Sequence, residues 1–289
     1  MGNPVKPRLV LLALPLLLAA CGGKPDAPVA ADPVAQAPMR EKEPDENVEK
    51  DPLLSEAKIA HVVVPEAFIT PATPAENVDS PASWRAPDGT RWLIATAKDT
   101  HRLVVYDGST GKQLRTVSGP GSALGQMQRP NGIAVIDDLV LVVERDNHRV
   151  QVLRLPGFEP LAVIGADVLR SPYGLWLNPQ ADGSLEMLVT DSFMADYRTE
   201  TLPPMEELDE RVKRFRLRPA ADGTLAAEFL GAFGDTTDEG ALRMVESIAG
   251  DPRHDRLLIA EEDVRVGTTL RVYDLAGTYR GQNLPRERF

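Results

Sequence analysis

The side chains able to do chemistry are few and widely spaced in this chain of 289 residues. Cys21 is the sole thiol, which excludes an internal disulfide framework and any multi-cysteine zinc site. His61, His101, His148 and His254 are scattered, with no H-E-x-x-H spacing to bring two imidazoles onto one metal, and are expected on the surface or in turns. No G-x-x-x-x-G-K loop and no G-x-S-x-G elbow is present, so nucleotide hydrolysis and serine esterase chemistry have no support. Three consecutive acidic residues, Glu261-Glu262-Asp263, lie directly after the apolar run Leu257–Ala260. Taken alone, such a strand end reads as a solvated acidic turn, just as a strand-end lysine such as Lys98 ordinarily faces water.

These residues depend on the elements that carry them, and those elements repeat. A composition of 43% hydrophobic residues is enough to bury a core. Trp92–Thr96, Arg102–Tyr106 and Gln113–Val117 are short strand-like runs separated by turns. The same plan recurs at Gly132–Val135, Leu139–Val143, Arg149–Leu153 and Leu161–Ile164. A third set runs from Tyr173 through Met187–Thr190 and Val212–Phe215 to Phe229-Leu230, interrupted by an acidic insertion at Pro203–Glu210. A fourth contains Ser247–Ala249, Leu257–Ala260 and Leu270–Tyr273. Asp88-Gly89, Asp107-Gly108, Asp182-Gly183 and Asp222-Gly223 punctuate the runs, and Asp-Gly suits tight turns because both residues tolerate positive φ. About four strands per repeat of roughly forty residues is the pattern of propeller blades, so the expected fold is an all-β propeller with four visible blades. Trp84, Trp92 and Trp176 are expected in the cores of those blades.

The N-terminal region reads differently. A positively charged start, Met1–Arg8, precedes the apolar run Leu9–Ala20, which Pro15 interrupts and which is too short to span a bilayer, so residues 1–20 form an export signal. Residues 21–52 are rich in Ala, Pro and charged residues and poor in large apolar ones, the composition of a disordered tether, with the β domain in residues 53–289. The net charge of −11 argues against binding nucleic acid through a basic surface. An anionic ligand would need local basic residues or bridging cations.

Three resemblances extend this reading. Leu18-Ala19-Ala20-Cys21 resembles the lipobox of bacterial lipoproteins, which implies lipidation of Cys21 and attachment on, not through, a membrane. Gly22 after the cysteine implies the outer membrane of a Gram-negative cell. Gly125–Val135, continuing to Asp146–Val152, resembles an NHL repeat, a blade type found in enzymes, binding modules and scaffolds alike. The wider pattern is similar to the β-propeller phytases, calcium-dependent enzymes that cleave phosphate from inositol hexakisphosphate. The similarity lies in Asp79-Ser80-Pro81-Ala82-Ser83-Trp84, in Ala95–Lys98 followed by Leu103–Asp107, in Tyr173-Gly174-Leu175, and in Ile259–Asp263.

That resemblance implies a site by position. Glu246 and Glu261 would be catalytic, and Glu246, Glu261, Glu262 and Asp79 would hold calcium, while Lys98, Arg145 and Tyr173 would contact substrate phosphate. The sequence departs from the family pattern at Ser80, Asp99, Ser171-Pro172 and Ser247, where an aspartate, a lysine, a glutamate and a glycine are usual. The blade count leaves two alternatives. Either a strand at Ala60–Val64 closes a small ring, or, as we expect, these blades are part of a six-bladed propeller. Two functions follow: a membrane-anchored, calcium-dependent phosphomonoester hydrolase acting on a ligand such as an inositol phosphate, or a non-catalytic NHL propeller that binds a protein or envelope component.

Overall fold

Short apolar runs separated by turn residues become strands here because each is covered on one or both faces by another sheet. The computed structural model describes residues 64–220 and 224–285. The chain divides into Met1–Pro52 and Leu53–Phe289, and every described residue belongs to the second unit. The expected signal, the tether, Cys21, the Asp222-Gly223 turn and all but the last residue of the expected strand at Ala60–Val64 lie outside the described residues. No described helix is long and apolar enough to cross a membrane.

The described strands form four antiparallel sheets, each a four-stranded meander in chain order. Blade one is β1 (Val78–Arg85), β2 (Arg91–Ala97), β3 (Arg102–Asp107) and β4 (Gln113–Val117). Blade two is β5 (Pro130–Ile136), β6 (Leu139–Glu144), β7 (Arg149–Arg154) and β8 (Glu159–Ile164). Blade three is β9 (Pro172–Pro179), β10 (Leu185–Asp191), β11 (Val212–Pro219) and β12 (Leu225–Phe233). Blade four is β13 (Val245–Asp251), β14 (Arg256–Glu261), β15 (Thr269–Tyr273) and β16 (Tyr279–Pro285). The first strands of successive blades lie side by side, β1 against β5, β5 against β9 and β9 against β13, which makes an arc of propeller blades.

The blades pack face to face, and this explains the apolar runs of the middle strands. Along β6, Val140 and Val142 point toward blade one and join Trp84, Ile94, Leu103 and Val105 in one core. Leu141 and Val143 point the opposite way and meet Met187, Val189, Phe215 and Leu217 of blade three. A sheet buried on both faces has no polar side to alternate with. The third core joins Leu188 and Val212 to Val245, Ile248, Leu257, Ile259 and Tyr273 of blade four.

Two strands carry little apolar signal: β16, with the segment Tyr279–Pro285, and β1, where Pro81 interrupts the run. Pro81 is tolerated because it falls at a bulge, where proline in a sheet is permitted. Of the described Asp-Gly pairs, Gly89 and Gly183 take positive φ of 91° and 79°. At Asp107-Gly108 the positive φ, 70°, falls instead on Gly111, and the Asp107 carboxylate caps the amides of Ser109 and Thr110.

Candidate functional site

One backbone device recurs in all four blades and builds the central face. In each, three residues of the first strand span two of the second, a β-bulge near the strand start. The spans are Val78–Pro81 against Ala97–Ala95, Pro130–Ile133 against Glu144–Val142, Pro172–Leu175 against Asp191–Val189, and Val245–Ile248 against Glu261–Ile259. Bulges commonly re-aim side chains beside functional sites. The bulged pairs are Asp79-Ser80, Asn131-Gly132, Tyr173-Gly174 and Glu246-Ser247. The second residue of each pair is small because neighbouring bulges press together. A Cβ on Gly132 would lie 2.7 Å from the Tyr173 carbonyl oxygen, and one on Gly174 would lie 2.7 Å from that of Glu246. Hydroxyls opposite the bulge accept its amide in two blades, Thr96 from Ser80 at 3.1 Å and Thr190 from Gly174 at 2.8 Å.

A second recurring position follows the end of each second strand. The amides of Lys98, Arg145, Ser192 and Glu262 donate in turn to the carbonyls of Asn77, Arg129, Ser171 and Met244, each just before its blade's first strand. The two series together comprise Asp79, Asn131, Tyr173 and Glu246 from the bulges and Lys98, Arg145, Ser192 and Glu262 from the strand ends. Six of the seven candidate residues expected in the folded domain therefore fall on two structurally equivalent positions. Three of them touch. Lys98 Nζ is 3.3 Å from an Asp79 carboxylate oxygen and 3.4 Å from the Tyr173 hydroxyl, reaching from blade one to blade three. The side chains of Lys98 and Arg145 are 5% and 7% exposed. Arg145 Nε donates to Asp146 at 3.0 Å. The Glu246 carbonyl accepts the Thr190 hydroxyl at 2.5 Å, which ties the bulges of blades three and four.

Glu261 stands apart from these. It occupies the last position of its second strand, where blade two has Glu144, blade three Asp191 and blade one Ala97. Its oxygens accept the amides of Arg243 at 2.5 Å, Met244 at 2.9 Å and Asp263 at 2.9 Å. Asp191 likewise accepts those of Arg170 at 3.0 Å and Ser171 at 2.6 Å, and Glu144 that of Gln128 at 3.2 Å. All three carboxylates are buried and fasten the chain entering the first strand to the end of the second. Burial raises the carboxyl pKa of Glu144 and Asp191 above the ordinary range, against the lowering effect of their hydrogen bonds. Glu144 is also satisfied by Arg149, Gln151 and Asn147.

Arg211 joins two of these clamps. Fully buried, it donates to the carbonyls of Leu242, Asp191, Phe193 and Arg243 at 2.8, 3.0, 2.6 and 2.7 Å. Desolvation pushes its pKa down to about 10, opposed by the charges of Asp191 and Glu261. Sequence reasoning missed Asn131, Ser192, Glu144, Asp191 and Arg211 as parts of this framework. The recurring pair of a larger residue followed by Ser or Gly, at Asp79-Ser80, Asn131-Gly132, Tyr173-Gly174 and Glu246-Ser247, was a signal that could have found the first.

Among the described residues, no group of three or more His, Cys, Asp or Glu side chains is arranged to hold a metal ion. Asp79 is paired with Lys98, and Glu261 is turned to backbone amides. This donor set does not fit a calcium cluster of the kind the phytase resemblance implies.

His101 and His148 occupy matching left-handed turns, with φ of 55° and 54°, and each fastens its blade to the next. The Arg129 amide donates to His101 Nδ1 at 2.9 Å, whereas His148 donates from Nδ1 to the Arg170 carbonyl at 2.5 Å. Burial lowers the His101 pKa. A base with a lowered folded-state pKa contributes stability that is full above its unfolded value, about 6.5, and is lost as pH falls through the folded value. We expect His101→Asn, whose carbonyl can accept the same amide at positive φ, to match wild type within about 1 kcal/mol at pH 8. Between pH 6.5 and 5, wild type should lose stability that the variant keeps, read as a widening gap between their urea midpoints. Parallel losses would remove the histidine from the acid response.

Residues 127–153, which cover the start of blade two through its third strand, match the NHL repeat family. No curated protein matches the chain in sequence. Among solved structures, the chain is similar to hydrazine synthase from Kuenenia stuttgartiensis, with 14% identity and a TM-score of 0.47 over 78% of this chain and 53% of that one. It is also similar to a candidate 6-phosphogluconolactonase from Bacteroides uniformis, with 14% identity and a TM-score of 0.44 over 76% of this chain and 59% of that one. A nidogen/laminin complex matches with 14% identity and a TM-score of 0.40, over 73% of this chain and 79% of that one. The chain thus spans about half to three-fifths of the first two structures.

Proposed function

We propose that this protein is a lipid-anchored envelope propeller whose central face binds a phosphorylated small molecule. The observation that carries the reading is the pair of buried cations, Lys98 and Arg145, at one repeat position of adjacent blades in a chain of net charge −11. Lys98 is paired with Asp79 and Arg145 with Asp146, and a central face that concentrates two cations at one repeat position raises the local positive potential, which suits an anion. Arginine offers a planar fork that matches two phosphate oxygens, lysine a point charge, and the Tyr173 hydroxyl a further donor. Glu246 and Glu262 occupy the equivalent positions in blade four, so like-charge repulsion favours a phosphate lying toward blades one and two. Anchorage through Cys21 rests on the first twenty-one residues and export on the charged, apolar and small-residue order that precedes it.

Calorimetric titration of the full chain with inorganic phosphate and with inositol phosphates, in EDTA and in calcium, tests this. Binding should occur in EDTA and weaken roughly 10-fold or more in Arg145→Ala, since a charge-assisted contact contributes about 1.5–3 kcal/mol. Lys98→Ala should weaken it similarly. Absence of anion binding, or unchanged affinity in both variants, would overturn the reading. Phosphate released only in the calcium arm would add hydrolysis to binding.

A further inference from the structure

Asn131 is a member of the central series that binding of a phosphate would not by itself explain. It is 0% exposed, and neither its side-chain oxygen nor its side-chain nitrogen has a hydrogen-bond partner. It holds the bulge position that belongs to Asp79 in blade one and Tyr173 in blade three, the two groups that meet Lys98. Gly132, the next residue, is pressed against the Tyr173 backbone, which packs the Asn131 bulge against the Tyr173 bulge. Buried amides are nearly always satisfied, because an unpaired donor or acceptor loses its water without compensation. An amide with both functions open calls for a partner that both donates and accepts.

A phosphomonoester dianion only accepts through its phosphoryl oxygens. It would satisfy the Asn131 nitrogen and leave the oxygen without a donor. A hydroxyl group accepts from the nitrogen and donates to the oxygen, so it completes both. Glu246 and Glu262 add acceptors on the blade-four side, and their charge opposes a ligand phosphorylated all round. We infer that Asn131 is a specificity-determining residue that reads a free hydroxyl, so the ligand class is a polyol phosphate, such as a sugar or cyclitol monophosphate, and not a fully phosphorylated ring. This rests on the phosphate-binding reading above.

The test compares three probes on the full chain by calorimetry, at a pH where monoesters are dianions: methyl phosphate, which has no hydroxyl, myo-inositol monophosphate, and inositol hexakisphosphate, which carries no free ring hydroxyl. The monophosphate should bind at least about 10-fold more tightly than either of the others, the penalty for leaving a buried polar pair unmatched being of that order or larger. Asn131→Ala should bring the monophosphate down to the affinity that methyl phosphate has for the same variant. The ligand-free variant should melt no lower than wild type, since it removes an unsatisfied group. If methyl phosphate binds but the inositol monophosphate has no advantage, or if Asn131→Ala keeps that advantage, the inference fails while phosphate binding stands. If no probe binds, both fail together. A variant that melts well below wild type with selectivity intact would make Asn131 a structural residue and overturn its role in recognition.

Discussion

Glu261→Ala is expected to lose about 3–5 kcal/mol of stability, because it strips the acceptor from three amides, of Arg243, Met244 and Asp263, in a buried strand junction. The melting temperature should fall on the order of 10 °C for a domain of this size. Glu261→Gln keeps the shape but turns one acceptor into a donor facing an amide, so an intermediate loss is expected. At temperatures where these variants remain folded, binding of phosphate at the central face should match wild type. The opposite outcome, an unchanged melting temperature with loss of ligand binding or turnover, would make Glu261 a ligand-side carboxylate. Asp191→Ala and Glu144→Ala supply the internal comparison, since the same clamp is built in blades three and two.

Arg211→Met is expected to be as damaging, at about 3–5 kcal/mol, the range for breaking a buried charged network by removing one partner. The methionine fills similar space but leaves the carbonyls of Leu242, Asp191, Phe193 and Arg243 without their donor. It also removes the positive charge that faces Asp191 and Glu261. Arg211→Lys should recover only part of the loss, because a single ammonium cannot reproduce the planar fork that reaches carbonyls on opposite sides. Chemical denaturation of the three proteins decides this. A lysine variant as stable as wild type would show that charge alone matters, and a stable methionine variant would dismiss the network as a source of stability.

The two clamps and the arginine between them tie blades three and four together where Glu246 and Glu262 emerge. This separates two duties that the sequence places side by side. Glu261 and Glu262 are neighbours in the chain, yet Glu261 is 1% exposed and bonded to backbone, whereas Glu262 holds the position of Lys98 and Arg145. The alternation of a strand sends consecutive side chains to opposite faces, so adjacent residues rarely share one task.

By itself the sequence determined the all-β class, the four visible blades and most strand positions. Runs such as Leu139–Val143 and Leu257–Ala260 carry that information locally, through side chains that suit a sheet and turns that end it. It also indicated Asp79, Lys98, Arg145 and Tyr173 as candidates, through resemblance. It did not reveal β16, whose polar segment pairs as a blade's outer strand without needing apolar residues on both faces. Only the tertiary structure decided that Glu144, Asp191 and Glu261 are one repeated clamp. The spacing from the first-strand residue to its clamp differs between blades, Pro130 to Glu144, Pro172 to Asp191 and Val245 to Glu261, because the intervening strands and turns differ in length. The equivalence exists in the pairing register and not in the linear order. The same holds for Asn131 and Arg211. An amide's missing partners and an arginine's four carbonyls are set by segments brought together from distant parts of the chain, a relation no local pattern encodes.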